Sequence, residues 1–326
     1  MQRREFFSPG DIALQLGVTV DDVSAEIDRL RELGCTFESN PQFGVKLLRT
    51  DISTWVDYLE ERCGRVIDDD PDSEDSLGGK REISVFRSTE STQDVAQQKL
   101  RGGGASAYGT VVIADEQRAG RGRLGRRWVA PAGTCVLFSM VHIANPFDDE
   151  SINVERLVTA SAVAIASAIE NVTGESDAWV KIKWPNDLYI GGRKVAGILV
   201  DAIDNAAVIG VGINVSFGAD EIPDEAAEFR DAMTSLAMEG KEVDRLYLLS
   251  SAIRSIDIML GQTSDRQLAD EWRRRSVNLS KQIHLRCDGH DIRGEVVDLD
   301  PSAGLIVRKD TGELVHLPSA TTSVVS

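Results

Sequence analysis

Residues 152–171 constrain this chain more than any other stretch, because they are alanine-rich and almost continuously apolar. A helix with so little polar surface must be covered on most sides, so other elements have to pack around it. Apolar segments suited to strands stand on both sides of it, at residues 83–86, 110–114 and 135–142 before and 180–184, 194–201 and 207–213 after. Strands mixed with a few helices in this way predict an α+β domain around one sheet, not a regular alternation of βα units. Residues 224–239, 243–260 and 264–275 read as further helices whose Leu, Ile, Ala and Met residues belong to the core. From residue 282 the texture changes to short strands at 283–285, 292–297, 305–307 and 314–317, broken by Asp288-Gly289, Pro301 and Thr311-Gly312. Such a run predicts a small β-barrel.

The first fifty residues carry a different pattern. Ser8, Pro9, Gly10 and Asp11 supply capping and first-turn residues for a short helix that Gly17 ends. Thr19 caps a second helix whose apolar residues Val20, Val23, Ile27, Leu30 and Leu33 recur every three or four positions, and Gly34 closes it. Residues 35–39 and 45–48 read as two strands around a turn, so the whole predicts a winged helix-turn-helix. A helix over 51–62, capped by Asp51, Ser53 or Thr54, leads to an acidic stretch at 68–76 that reads as a solvated linker. The expected domains are therefore residues 1–50, a helix and linker over 51–80, a central α+β domain over 81–277 and a terminal β domain over 278–326.

Charge limits the partners. With 53 acidic against 36 basic residues the net charge is -17, so the average surface repels polyanions and any DNA contact has to be local. The start of the second helix works against one, because Asp21, Asp22 and Glu26 stand there without a base. An acidic excess of this size is also what proteins of a salt-rich cytoplasm show. No apolar run reaches the ~18 residues that a bilayer requires, and the start does not resemble a signal peptide, so a cytoplasmic protein without membrane contact is expected. Cys35, Cys63, Cys135 and Cys287 are scattered singly, as reduced structural residues would be.

Against that acidity, Gly120-Arg121-Gly122-Arg123-Leu124-Gly125-Arg126-Arg127-Trp128 packs four arginines and three glycines into nine residues. Glycine lets backbone N–H groups approach a ligand, and arginine offers planar forks for carboxylate and phosphate oxygens. On its own the stretch fits an anion-binding loop, a solvated basic loop or an Arg/Gly segment for nucleic acid. It is followed by Lys183-Trp184-Pro185-Asn186-Asp187-Leu188, by residues 192–200 and by Gly210-Val211-Gly212-Ile213-Asn214.

The GRGR-x-GR-x-W, KWPND and G-x-GIN elements, in this order and spacing, resemble the biotin protein ligases. The likeness is to the longer type that begins with a winged helix and doubles as a biotin-sensing repressor, and it runs from about Ser8 to the C-terminus. It implies a catalytic domain like that of class II aminoacyl-tRNA synthetases, a mixed sheet with helices on one side, and an SH3-like C-terminal barrel. It also implies ATP-dependent activation of biotin to biotinyl-5'-AMP, with Mg²⁺, and transfer to a lysine of a biotin carboxyl carrier domain of acetyl- or propionyl-CoA carboxylase.

Carried over residue by residue, the resemblance places Ser91, Thr92 and Gln93 at the ureido ring of biotin, Gln93 standing where the family has Asn. Gln117, Gly120, Arg121, Gly122 and Arg123 fall at the biotin carboxylate and adenylate, and Gly197 keeps the strand surface open for the biotin rings. Lys183, Arg121 and Arg123 become the catalytic cations; Arg123, Arg126, Trp128, Asn186, Lys194 and Asn214 fall at ATP, with Asn186 and Asn214 on its Mg²⁺ side. Asp187 reads as a supporting carboxylate. The Arg/Gly loop is expected to order over the adenylate. Residues 8–27, from Ser8 to Ile27, would be the DNA-binding helix-turn-helix, operator DNA a partner, and a homodimer would pair sheets edge to edge. The competing readings are a lipoate ligase, a transcription regulator that senses biotin without ligating it, and an Arg/Gly RNA-binding protein.

Overall fold

The computed structural model describes residues 6–65, 80–144 and 151–325, in two compact units, residues 1–62 and 63–326. In the first unit α1 (Pro9–Leu16) begins where Ser8 Oγ accepts from Asp11 N at 3.0 Å, and it ends at Gly17 with φ +69°. α2 (Val20–Glu32) opens on a reciprocal cap, Asp22 N donating to Thr19 Oγ1 at 3.1 Å and Thr19 N to Asp22 Oδ2 at 3.0 Å. These bonds from Thr19 hold the Asp22 carboxyl below its ordinary pKa. An antiparallel hairpin follows, β1 (Thr36–Asn40) and β2 (Gly44–Arg49), and Ala13, Val23 and Ile27 form a core with Ile12, Phe37 and Val45. Both predicted helices and the hairpin are thus present. α3 (Trp55–Cys63) follows a short 3-10 turn capped by Asp51. The acidic stretch at 68–76 lies outside the described residues; its flanks meet, Arg65 bridging Lys80 and Arg81 N donating to Gly64 O at 2.6 Å.

The larger unit is built on a seven-stranded sheet. Its strands are β3 (Ile83–Thr89), β4 (Val111–Gln117), β5 (Cys135–Ile143), β6 (Lys181–Lys183), β7 (Asp187–Ile190), β8 (Arg193–Ile203) and β9 (Ala206–Asn214). Their order is β3-β4-β5-β9-β8-β7-β6, parallel only between β3 and β4. β7 was not foreseen from the sequence, where Asp187 reads only as a supporting carboxylate. The helices are α4 (Thr92–Gly103), α5 (Val154–Thr173), α6 (Arg245–Gly261) and α7 (Asp265–Arg275). As its composition requires, α5 is buried along most of its length, with Ala160, Ala162, Val163, Ala164, Ile165 and Ala166 fully covered.

The helices occupy both faces of the sheet, where one was expected. Ser139 of β5 meets Gln93 of α4, while its neighbour Met140 meets Arg81, which pairs with Asp257 of α6. Successive strand residues point to opposite faces, so α4 and α6 lie on opposite sides. The predicted helix over 224–239 is also replaced, by a 3-10 segment at Asp224–Ala232 followed by extended chain. Sheet contacts override helix propensity there: Met233 bridges Lys194, Thr234 N donates to Lys194 O at 2.8 Å, and Ser235 Oγ donates to Phe217 O at 2.6 Å.

The last strands are β10 (Gln282–Cys287), β11 (His290–Asp300), β12 (Gly304–Lys309), β13 (Leu314–Leu317) and the unforeseen β14 (Thr322–Val324). They form an antiparallel sheet in the order β13-β12-β11-β10-β14. The expected barrel is not closed, since β13 and β14 are its two edges and do not pair. Instead the sheet leans on α5: Glu155 Oε1 accepts from Ser319 N at 2.7 Å and Ser319 Oγ at 2.8 Å, both residues buried.

Burial and, secondarily, Arg156 push the His142 imidazole on β5 down to about 4 from 6.5. The native state therefore holds this ring neutral where the unfolded chain protonates it. Stability should be unaffected above pH 6.5, fall as the pH drops towards about 4, and level off below. Urea unfolding of the wild type and His142→Phe across this range checks it, the variant showing the shallower loss.

Candidate active site

A cleft of about 600 Å³ opens on the α4 face of the sheet. Its floor is glycine: a Cβ on Gly210 would stand 2.4 Å from Gln93 Oε1, one on Gly212 2.6 Å from Trp128 Cε2, and one on Gly197 3.1 Å from Trp128 Cζ3. Bare backbone at these points lets two large side chains lie against the strands. Gly212→Ala should displace the Trp128 ring and lower affinity for any ligand resting on it by tenfold or more, on the order of 1.4 kcal/mol, which calorimetric titration measures.

One end of the cleft is polar and buried. Ser91 caps α4, its Oγ accepting from Gln93 N at 3.2 Å. Gln117 Oε1 at the end of β4 accepts from Thr92 N at 2.7 Å and Thr92 Oγ1 at 3.1 Å. Thr92 Oγ1 and Ser139 Oγ are 2.9 Å apart, and Ser139 Oγ donates to Gln93 Oε1 at 2.9 Å while Gln93 Nε2 donates to Val208 O at 2.9 Å. Both amide atoms of Gln93 are thus engaged by the protein. Ser139 was missed in the sequence; a lone serine between Phe138 and Met140 on a buried strand was the available signal.

The Arg/Gly loop folds back on itself, Gly122 N donating to Arg126 O at 2.8 Å and Trp128 N to Gly120 O at 2.9 Å. Gly120 stands behind this turn, where a Cβ would meet Trp128 O at 2.5 Å, and of the residues expected at biotin and ATP it alone does not line the cleft. Arg121 bridges Asp94 at 2.5 Å and Asp201 at 3.1 Å. Arg123 Nη2 donates to Thr322 O at 3.0 Å and to Ser319 O, and burial lowers its pKa. The Arg126 guanidinium lines the cleft and makes no hydrogen bond or ion pair among the described residues.

The opposite wall is β6 to β8. The Lys183 ammonium lies 5.3 Å from the Tyr189 ring centroid, and Lys194 Nζ is 2.5 Å from Asp187 Oδ1 and 5.5 Å from the Trp128 ring. Next to Lys183, Trp184 is buried, its N donating to Asn278 Oδ1 at 2.8 Å, and the Trp184–Pro185 peptide is cis. Asn186 Nδ2 donates to Ile198 O, and Asn214 Nδ2 to Thr234 O at 2.9 Å, with Asn214 Oδ1 3.7 Å from the Cys135 thiol. These amides therefore brace the walls of the cleft. Among the described residues no group of three or more His, Cys, Asp or Glu side chains is placed to hold a metal ion. The 3-10 segment adds Glu225, Glu228 and Phe229 to the rim, and β14 adds Ser323 and Val324. Burial pushes the Cys135 thiol up to about 12, so it is no nucleophile near neutrality.

The cleft thus presents cations beside a flat glycine floor and a buried polar end, a site for a ligand with an anionic head and a hydrogen-bonding tail. The description "Biotin/lipoate A/B protein ligase family" fits residues 85–217, which span the sheet from β3 to β9. The biotin--[acetyl-CoA-carboxylase] ligase of Paracoccus denitrificans is 32% identical over 243 residues, 71% of this chain and 96% of that protein. The bifunctional ligase/repressor BirA of Bacillus subtilis is 27% identical over 324 residues, 94% of this chain and 91% of that protein. The solved biotin protein ligase from Aquifex aeolicus in complex with biotin and ATP superposes with a TM-score of 0.62 at 27% identity, over 74% of this chain and 98% of that one. The chain belongs to the biotin protein ligase family. No helix among its described residues is long and apolar enough to cross a membrane.

Proposed function

We propose that this protein activates biotin with ATP and transfers it to a carrier lysine. In the first step a biotin carboxylate oxygen bonds to the α-phosphorus of ATP and pyrophosphate leaves, giving biotinyl-5'-AMP. In the second a neutral lysine amine bonds to the acyl carbon, AMP leaves with the bonding electrons, and the amine loses its proton. The observation that carries this reading is Lys183, a cation without a counterion among the described residues, on the wall of a cleft whose other lysine and first loop arginine already have carboxylate partners.

Both reactants of the first step are anionic, so positive charge fixed in advance lowers the barrier. Lys183 serves the biotin carboxylate and then the phosphate oxygens. Arg126 is free to meet the polyphosphate, while Arg121 and Arg123 reach it by exchanging their present partners. Ser91, Thr92, Gln93 and Gln117 hold the ureido end, and Trp128 supports the ligand from the floor. Mg²⁺ enters as the ATP complex, Asn186 and Asn214 shaping the wall beside it. The acceptor is a biotin carboxyl carrier domain of an acetyl- or propionyl-CoA carboxylase; the name of the Paracoccus relative gives acetyl-CoA-carboxylase.

A second role, biotin-dependent repression through residues 8–27, is favoured by the BirA relative, whose match extends through the N-terminal unit. Asp21, Asp22 and Glu26 on α2 oppose such binding, and high salt screens part of that phosphate repulsion. Homodimers and a cytoplasmic location complete the proposal. Its test is ATP–pyrophosphate exchange at low and high salt with biotin, with lipoate, and with neither. Exchange that requires biotin supports the ligase. Absence of exchange at every salt, with biotin still bound, would leave a sensor without chemistry.

A further inference from the structure

Two lysines share one wall of the cleft and meet different partners. Lys194 is neutralised by Asp187 at 2.5 Å. Lys183 has no carboxylate within ion-pair reach among the described residues, and its Nζ lies over the Tyr189 ring, 5.3 Å from the centroid. The source of the difference is a single strand. On β7, Asp187 and Tyr189 are two residues apart and face the cleft, while Leu188 and Ile190 between and beyond them are buried in the core. β7 therefore supplies a counterion to one lysine and an aromatic face to the other.

We propose that Tyr189 is a positioning residue for the adenylation step, its ring holding the Lys183 ammonium at the cleft wall without neutralising it. The inference rests on the reading of Lys183 as the ligand of the biotin carboxylate. A lysine has a flexible four-carbon stem, and an aliphatic neighbour would leave its ammonium free to wander into water. A carboxylate neighbour would fix the ammonium but cancel the charge that the anionic reactants need. An aromatic face does the first without the second, because its attraction for a cation is weaker than that of a carboxylate and yields to an incoming anion. The phenol hydroxyl makes no hydrogen bond among the described residues, so the ring alone carries the effect. Burial, with a smaller contribution from Asp187, raises the pKa of Tyr189 and keeps the ring a neutral phenol.

The test uses the full chain with Tyr189→Phe, Tyr189→Leu, Lys183→Ala and the combined Tyr189→Leu/Lys183→Ala. In lysine-labelled protein, the NMR signal of the Lys183 ε-methylene, identified by its loss in Lys183→Ala, should lie upfield in the wild type and Tyr189→Phe. It should return to the ordinary lysine position in Tyr189→Leu. Biotin-dependent pyrophosphate exchange should stay within about twofold of wild type in Tyr189→Phe and drop about tenfold in Tyr189→Leu, the size of a partly desolvated cation–π contact. Biotin affinity should fall on Tyr189→Leu only when Lys183 is present.

Equal exchange rates in the Phe and Leu variants would overturn the proposal. So would an equal loss of biotin affinity with and without Lys183, the mark of a merely structural role. A wild type without biotin-dependent exchange would remove the ligase reading, while the NMR comparison would still decide whether the ring holds the ammonium.

Discussion

Lys183→Ala should cut biotin-dependent pyrophosphate exchange by roughly a hundredfold or more, the largest effect expected of any single substitution in the cleft. A fixed donor aimed at developing or crowded negative charge in a water-poor site contributes about 3–4 kcal/mol when its removal is measured, and among the described residues no second cation stands in the same place. Lys194 is held by Asp187, and Arg121 by Asp94 and Asp201. The loss should be larger in kcat than in biotin affinity, which also falls, because the ureido end and the glycine floor still hold much of the biotin. Exchange and calorimetric biotin binding on the same preparations separate the two. A variant that exchanges at the wild-type rate would show that the charge comes from elsewhere, with Arg126 the next residue to replace.

Asp257→Ala should destabilise the larger unit by about 3–5 kcal/mol, the usual cost of removing one partner of a buried ion pair. Arg81 Nη2 lies 2.7 and 2.9 Å from the two carboxylate oxygens, and both side chains are almost wholly buried, at 0% and 3% exposure. Without Asp257 the guanidinium would remain in the core without its counterion. Against a total stability of about 5–15 kcal/mol such a loss is severe. The pair lies on the α6 face, away from the cleft, so exchange activity per folded molecule should be unchanged. Replacing both residues together, as Arg81→Met with Asp257→Leu, should recover most of the stability, because an apolar pair avoids the desolvation that the ions incur. Urea midpoints for the three proteins decide it, and a double variant as unstable as the single one would count against the mechanism.

Local chemistry explains which elements were legible in the sequence. Ser8, Thr19, Ser91 and Ser264 each cap the helix that follows them, and a cap is a bond within a few residues, so the sequence displays it directly. The Arg/Gly loop and the Lys183 motif were likewise visible, since their residue types are unusual in an acidic chain. Features set by distant partners were not. β7 exists because Asp187 and Tyr189 pair with β6 and β8, and the 3-10 segment ends where Met233 and Thr234 are drawn to Lys194. Nothing in the sequence singled out Tyr189, whose ring comes under the Lys183 ammonium only in the fold. Gln93, a departure from the family's Asn, has the extra methylene with which it reaches Val208 O across the face of the sheet.

The C-terminal sheet reads in the sequence as a separate part, with its own texture beginning near residue 282. Its last turn and strand nevertheless complete the cleft wall, and the carbonyls of Ser319 and Thr322 hold Arg123 while Glu155 grips Ser319. A boundary drawn for folding is thus not a boundary for trimming. A protein shortened at residue 277 would keep all seven strands of the main sheet and every residue of the Arg/Gly loop, yet that loop would have lost its mooring. Anyone grafting this catalytic body onto another scaffold would have to carry the tail along with it.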